Sequence, residues 1–164
     1  MGLGYHRESQ ARLAQVTKDN QAAAPVISSA GALVNGLKVI GAKRIALVAP
    51  YMKPLTQLVV DYIQHEGIEV KVWHALEIPD NLEVGRHDPA RLPGIVAEMD
   101  LREVDAIVLS ACVQMPSLPA VPTVEAQTGK PVITAAIATT YAMLTALELE
   151  PIVPGAGALL SGAY

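Results

Sequence analysis
The sequence predicts an α/β protein: a parallel sheet flanked by helices on both faces. Three observations carry this. Residues 44–49 (RIALVA), 106–109 (AIVL) and 131–134 (PVIT) are short apolar runs of the kind that lie buried in parallel sheets. Between such runs, apolar residues recur at helical spacing, as in Leu55, Leu58, Val59, Tyr62 and Ile63. Strand and helix alternate along the chain, which implies crossover connections and therefore parallel pairing.

The elements follow in order. Residues 5–20 (YHRESQARLAQVTKDN) are polar, with Leu13 and Val16 on one side, and read as a surface helix. Residues 24–28 (APVIS) read as a short strand, and 30–40 as a helix that Gly41 stops. The 44–49 strand ends at Pro50-Tyr51. A helix opens at Pro54 and closes at Gly67, and the alternating run 68–73 (IEVKVW) is a strand nearer the sheet edge. Residues 75–90 form the longest loop, rich in Pro, Gly, Asp and Asn. A helix over 92–99 leads to the 106–109 strand. Small residues then present Cys112, and Pro116 and Pro119 restart the chain at a helix head. A helix over 121–128 stops at Gly129, the 131–134 strand follows, and a helix spans 136–149. PVISSA and PVITAA, each after a polar helix and before an apolar one, suggest two halves built on one plan.

Composition narrows the function. The chain has 164 residues, 51% hydrophobic and 17% charged, which suits one domain, or one and a fragment, with a well-buried core. So little charge also suggests that a partner covers some apolar surface. A net charge of −4 gives no support to nucleic-acid binding. One cysteine excludes an intrachain disulfide and a multi-cysteine zinc site. No apolar run reaches membrane-spanning length, and residues 1–11 show no secretory pattern, so a soluble cytoplasmic protein is expected. The tail has neither GxGxxG nor a Walker pattern.

Cys112 has two readings. A free cysteine is often a small buried hydrophobe. At the carboxyl end of a strand, on the edge where open α/β sheets bind ligands, backbone N–H groups can instead activate a thiol or hold an anion. Tyr51 either caps the Pro50 turn or faces a ligand. Asn81 is, on its face, an ordinary turn residue. Thr134 and Thr139 could reach a ligand or cap a helix. His74 and His87 lack a carboxylate at metal spacing, and His65 sits at a helix end where a cation is favoured.

LSACVQMPSL, with PVISSAGALVNGLKVIGAKRIALVAPY before it and KPVITAAIATTYAML after it, resembles the maleate cis-trans isomerases. These lie within the larger group of aspartate/glutamate racemases and arylmalonate decarboxylases. The resemblance implies two similar α/β domains facing each other, each with one cysteine at a strand tip. Maleate lies between the thiols, no metal or organic cofactor is used, and the protein is a homodimer or larger assembly. Cys112 matches the second-domain cysteine. Tyr51 and Asn81 match ligands of the substrate carboxylates, and the backbone N–H groups of Val113 and Gln114 help hold one. On this reading residues 1–29 are a remnant of the first domain and 30–133 the complete second domain. Residues 134–164 return to the first, and the flanks pack together. The first-domain strands, their ligand asparagine and the nucleophilic cysteine are expected to be missing. A related racemase or decarboxylase, or an inactive truncated product that binds a dicarboxylate, are the alternatives. A racemase would need paired cysteines and a site for the amino group, and no acidic residue near Cys112 serves that role, which favours maleate.

Overall fold
A computed structural model describes residues 5–21 and 24–164. In chain order the elements are α1 (Tyr5–Asp19), α2 (Ser29–Val39), β1 (Arg44–Ala49), α3 (Lys53–His65), β2 (Glu69–Ala75), α4 (Asn81–Gly85), α5 (Leu92–Ala97), β3 (Ala106–Leu109), α6 (Val121–Thr128), β4 (Val132–Ile133) and α7 (Ala135–Ala146). Among the described residues the strands form one sheet, ordered β2-β1-β3-β4 and parallel throughout. Leu47 lies opposite Trp73 on one side and Val108 on the other, and Val108 lies opposite Ile133. Ile45 to Ala49 and Ala106 to Leu109 are wholly buried, as expected for strands covered on both faces. Leu37, Ile63 and Leu159 complete the core around them, each contributing about 1.5–3 kcal/mol relative to exposure.

The order fixes where a ligand can enter. From β1 the chain steps outward to β2, then crosses back past β1 to β3. The crossovers therefore leave in opposite directions on the two sides of the β1–β3 pair, and their carboxyl ends frame the crevice of a topological switch point. At the opposite edge, Asp105 holds the same two strands together. Its carboxylate accepts from the N–H groups of Lys43 (3.1 Å) and Arg44 (2.8 Å) and pairs with the Arg44 guanidinium (2.8 Å).

Two expectations are corrected. Residues 24–28 form no strand; Val26 instead gives its carbonyl to the Gln10 side chain at 3.4 Å. A strand needs a neighbour to share its backbone bonds, and among the described residues none lies beside this one. The 75–90 segment is not a plain loop either. It contains α4, which Asp80 caps by accepting the Leu82 N–H at 2.8 Å, and a 3₁₀ turn over Pro89–Arg91.

The PVIS/PVIT echo survives in the caps. Ser28 accepts from Gly31 N–H at 3.2 Å to start α2, and Thr134 accepts from Ile137 N–H at 3.0 Å to start α7. The two helices pack against each other. A Cβ at Gly36 would lie 3.3 Å from Ala138 Cβ, so glycine eases the close approach of the two helices there. No helix among the described residues is long and apolar enough to cross a membrane.

Candidate active site
The loops leaving β1, β2 and β3 carry the residues singled out in the sequence. Tyr51 lies two positions beyond β1, and Cys112 three beyond β3. The chain leaving β2 stays beside the end of β1. Leu76 N–H donates to Ala49 (2.8 Å), Ile78 N–H to Pro50 (3.0 Å) and Glu77 N–H to Tyr51 (3.3 Å). That run delivers Asn81, the first residue of α4, to the same edge.

The Tyr51 phenol is half-buried and lies near the Cys112 thiol. Burial pushes its ionisation well above the ordinary tyrosine value, and the Cys112 contact adds to that. The phenol therefore stays protonated and able to donate across neutral pH. Its backbone is fixed by the buried Thr56 hydroxyl, which donates to the Tyr51 carbonyl at 3.3 Å.

Cys112 is partly exposed and unpaired. The Gln114 N–H points at its sulfur, 3.4 Å away. This backbone donor, expected to face a substrate carboxylate, faces the thiol in this structure. The Gln114 side-chain amide donates to the Asn81 carbonyl and so ties the α4 turn to the cysteine loop. Val113 is exposed on the same loop. Between Cys112 and α6 lies only a 3₁₀ turn over Leu118–Ala120, so the donors beside the thiol are loop amides rather than the head of a long helix. Thr134 is spent on capping α7, and Thr139 donates to the Ala135 carbonyl at 2.6 Å.

The structure thus brings Tyr51 and Cys112 together, with Gln114 joining Cys112 to the Asn81 turn. Leu82, at the head of α4, and Val113, beside Cys112, are exposed. A separate groove of about 550 Å³, lined by Pro93, Val96, Leu101 and Lys130, belongs to the segments entering β3 and β4 at the other edge of the sheet. Among the described residues no group of three or more His, Cys, Asp or Glu could hold a metal ion. Reading the sequence missed Ser110, which holds both backbone polar groups of Cys112. A serine two residues before a cysteine at a strand end was the available signal.

A family model described as arylmalonate decarboxylase matches residues 2–160. A maleate isomerase of Pseudomonas putida strain KT2440 is 77% identical over 164 residues, which are 100% of this chain and 66% of that protein. The crystal structure of a cysteine-to-alanine mutant of maleate isomerase Iso from P. putida S16, with maleate, superposes with a TM-score of 0.97 at 66% identity, covering 100% of this chain and 66% of that one. A cysteine-to-serine mutant of the Nocardia farcinica maleate cis-trans isomerase, with a covalently bound succinylcysteine intermediate, gives a TM-score of 0.94 at 45% identity, covering 98% of this chain and 66% of that one. The chain spans 66% of the length of the P. putida relative. With the family model matched over nearly every residue, the chain belongs to the arylmalonate decarboxylase family, alongside relatives that are maleate isomerases.

Proposed function
We propose that this protein isomerises maleate to fumarate without a cofactor, through two thiols of which Cys112 is one. The observation that carries the reading is 77% identity with a maleate isomerase along the whole chain. The contact of Cys112 with Tyr51 at the sheet switch point supports it.

A thiolate adds to one alkene carbon of maleate, forming a C–S bond and moving an electron pair onto the neighbouring carbon and its carboxylate. Cys112 delivers its proton to that neighbouring carbon. The former double bond, now single, rotates. Cys112 retakes a proton, the C–S bond breaks, and fumarate leaves with the thiolate restored. A succinyl group on a cysteine, as in the Nocardia enzyme, is the adduct after the first proton transfer. Charge that builds on the carboxylates needs fixed donors. The Tyr51 phenol, Asn81 and the backbone N–H groups of Val113 and Gln114 take that role, the Gln114 N–H turning from sulfur to substrate. The chain has one cysteine, so a two-thiol step draws its nucleophile from outside these 164 residues. Turnover by the 164 residues alone at the rate of a protein that supplies both thiols would contradict this step.

In this reading residues 30–133 are the complete α/β domain, and 1–29 and 134–164 belong to a companion lobe. Among the described residues all four strands fall within 44–133, which supports that division. The protein works as a homodimer, and half-exposed apolar residues on and after α7, Met143 (51%) and Leu147 (62%), favour such burial. Free thiols suit the reducing cytoplasm. The test is product analysis. Maleate should give fumarate, while aspartate, glutamate and arylmalonates should be returned unchanged. Racemised amino acid or released carbon dioxide, with no fumarate, would put the protein with the racemases or decarboxylases instead.

A further inference from the structure
We propose that Ser110 is a positioning residue for Cys112, an assignment that rests on the isomerase reading of the site. Ser110 is the first residue beyond β3 and is completely buried. Its hydroxyl donates to the Cys112 carbonyl at 2.7 Å and accepts from the Cys112 N–H at 3.0 Å. One side chain therefore holds both backbone polar groups of the cysteine. Its own carbonyl accepts from Ala135 N–H at 3.0 Å, which anchors it to the start of α7.

The backbone has an unfavourable shape at this point. Ser110 has φ +130, a region that L-residues rarely occupy. A glycine would adopt it without penalty, yet the chain uses serine. Strain of this kind persists where surrounding interactions over-determine it. Here those interactions are the two bonds to Cys112, and glycine could make neither. Their effect is to fix the direction in which Cβ of Cys112 leaves the backbone. That direction sets the sulfur beside the Gln114 N–H and the Tyr51 phenol. Without the hydroxyl, the loop keeps its anchor at Met115, which is buried, but loses what orients the thiol.

Ser110→Gly separates the two roles, because it removes the hydroxyl and the strain together. A merely structural serine predicts that S110G changes stability alone and that the folded variant is as active as the parent. Positioning predicts a stable protein with a misdirected thiol. Two readouts decide. The first is the Gln114 backbone amide resonance in an NMR spectrum of this chain. In the parent, Cys112→Ala should move it, because the sulfur acceptor is lost; in the S110G background the same substitution should move it less than half as far. The second is maleate turnover by a form that supplies both thiols, where S110G should lower kcat by about 10–100-fold and leave KM nearly unchanged. A folded S110G with parental kcat, or with the full Gln114 response to Cys112→Ala, would overturn the proposal. A parent form that supplies both thiols and still shows no turnover would refute the isomerase reading alone, and the amide resonance would still decide the role of Ser110.

Discussion

Glu125 offers the sharpest test of how the edge of the sheet is held. It lies on α6, and one of its oxygens, Oε1, accepts from the N–H of Val132 in β4 and from the N–H of Ala158 in the tail, both at 2.9 Å. β4 is a two-residue edge strand, so a carboxylate on its N–H replaces the neighbour that the sheet lacks there. Each bond to a charged acceptor is worth about 1.5–3 kcal/mol, and a stranded N–H costs about 1–3 kcal/mol. Glu125 is half-buried, so water reaches part of the site and reduces that loss. Glu125→Ala should therefore cost about 2–4 kcal/mol. Glu125→Gln can keep an acceptor oxygen in the same place and should cost about 1 kcal/mol. In a chain of this size 1 kcal/mol moves the melting midpoint by about 2–4 °C, so E125A should melt roughly 5–15 °C below the parent and E125Q only a few degrees below. Thermal unfolding followed by circular dichroism measures both. An E125A midpoint within a degree or two of the parent would refute the staple, and equal losses in E125A and E125Q would show that charge rather than acceptor geometry matters. The consequence reaches the site, since β4 leads into the start of α7, where Ala135 anchors Ser110.

Two further outcomes are expected. The Asp105 carboxyl is held down to about 2, first by its bond to the Arg44 side chain. A depressed acid stabilises the fold above its unfolded value, about 3.9, and that contribution fades as pH falls through the folded value. Asp105→Asn should be less stable than the parent at pH 7, and the gap should close between about pH 4 and pH 2 in melts across that range; a gap independent of pH would be contrary. Tyr51→Phe should leave the fold intact and lower turnover by about 10²–10³-fold, because a donor aimed at developing charge is lost. It should also remove from an ultraviolet pH titration a phenol that ionises above the ordinary tyrosine value, and an unchanged titration would show that Tyr51 is not held protonated by burial.

Much of the fold was legible because parallel strands are continuous apolar runs. The bounds of β1 and β3 match the runs 44–49 and 106–109. Gly129, at φ +65, stops α6 where the chain needs a left-handed residue. The 24–28 segment misled because PVIS has the composition of a strand, while pairing depends on a neighbour that composition does not report. The α4 turn was obscured by its own cap: Asp80 reads as a loop residue, although Glu83 three positions later marks a helix start. At the site, positions after strands located Tyr51 and Cys112, and the long segment located Asn81. The bond from the Gln114 side chain to Asn81 joins residues 33 apart, and the Ser110 clamp depends on a backbone angle; neither leaves a periodic trace.

The central claim is that the Cys112 thiol takes part in the chemistry of maleate. Fumarate formation by a form that supplies both thiols and by its Cys112→Ala variant, both checked for equal folding by circular dichroism, tests it most directly. Cys112 is partly exposed, so the substitution should leave the core undisturbed. Positioned proton transfer is worth about 10²–10⁴ in rate, so the account predicts that C112A loses at least that factor. A C112A protein that forms fumarate at the parental rate would contradict it.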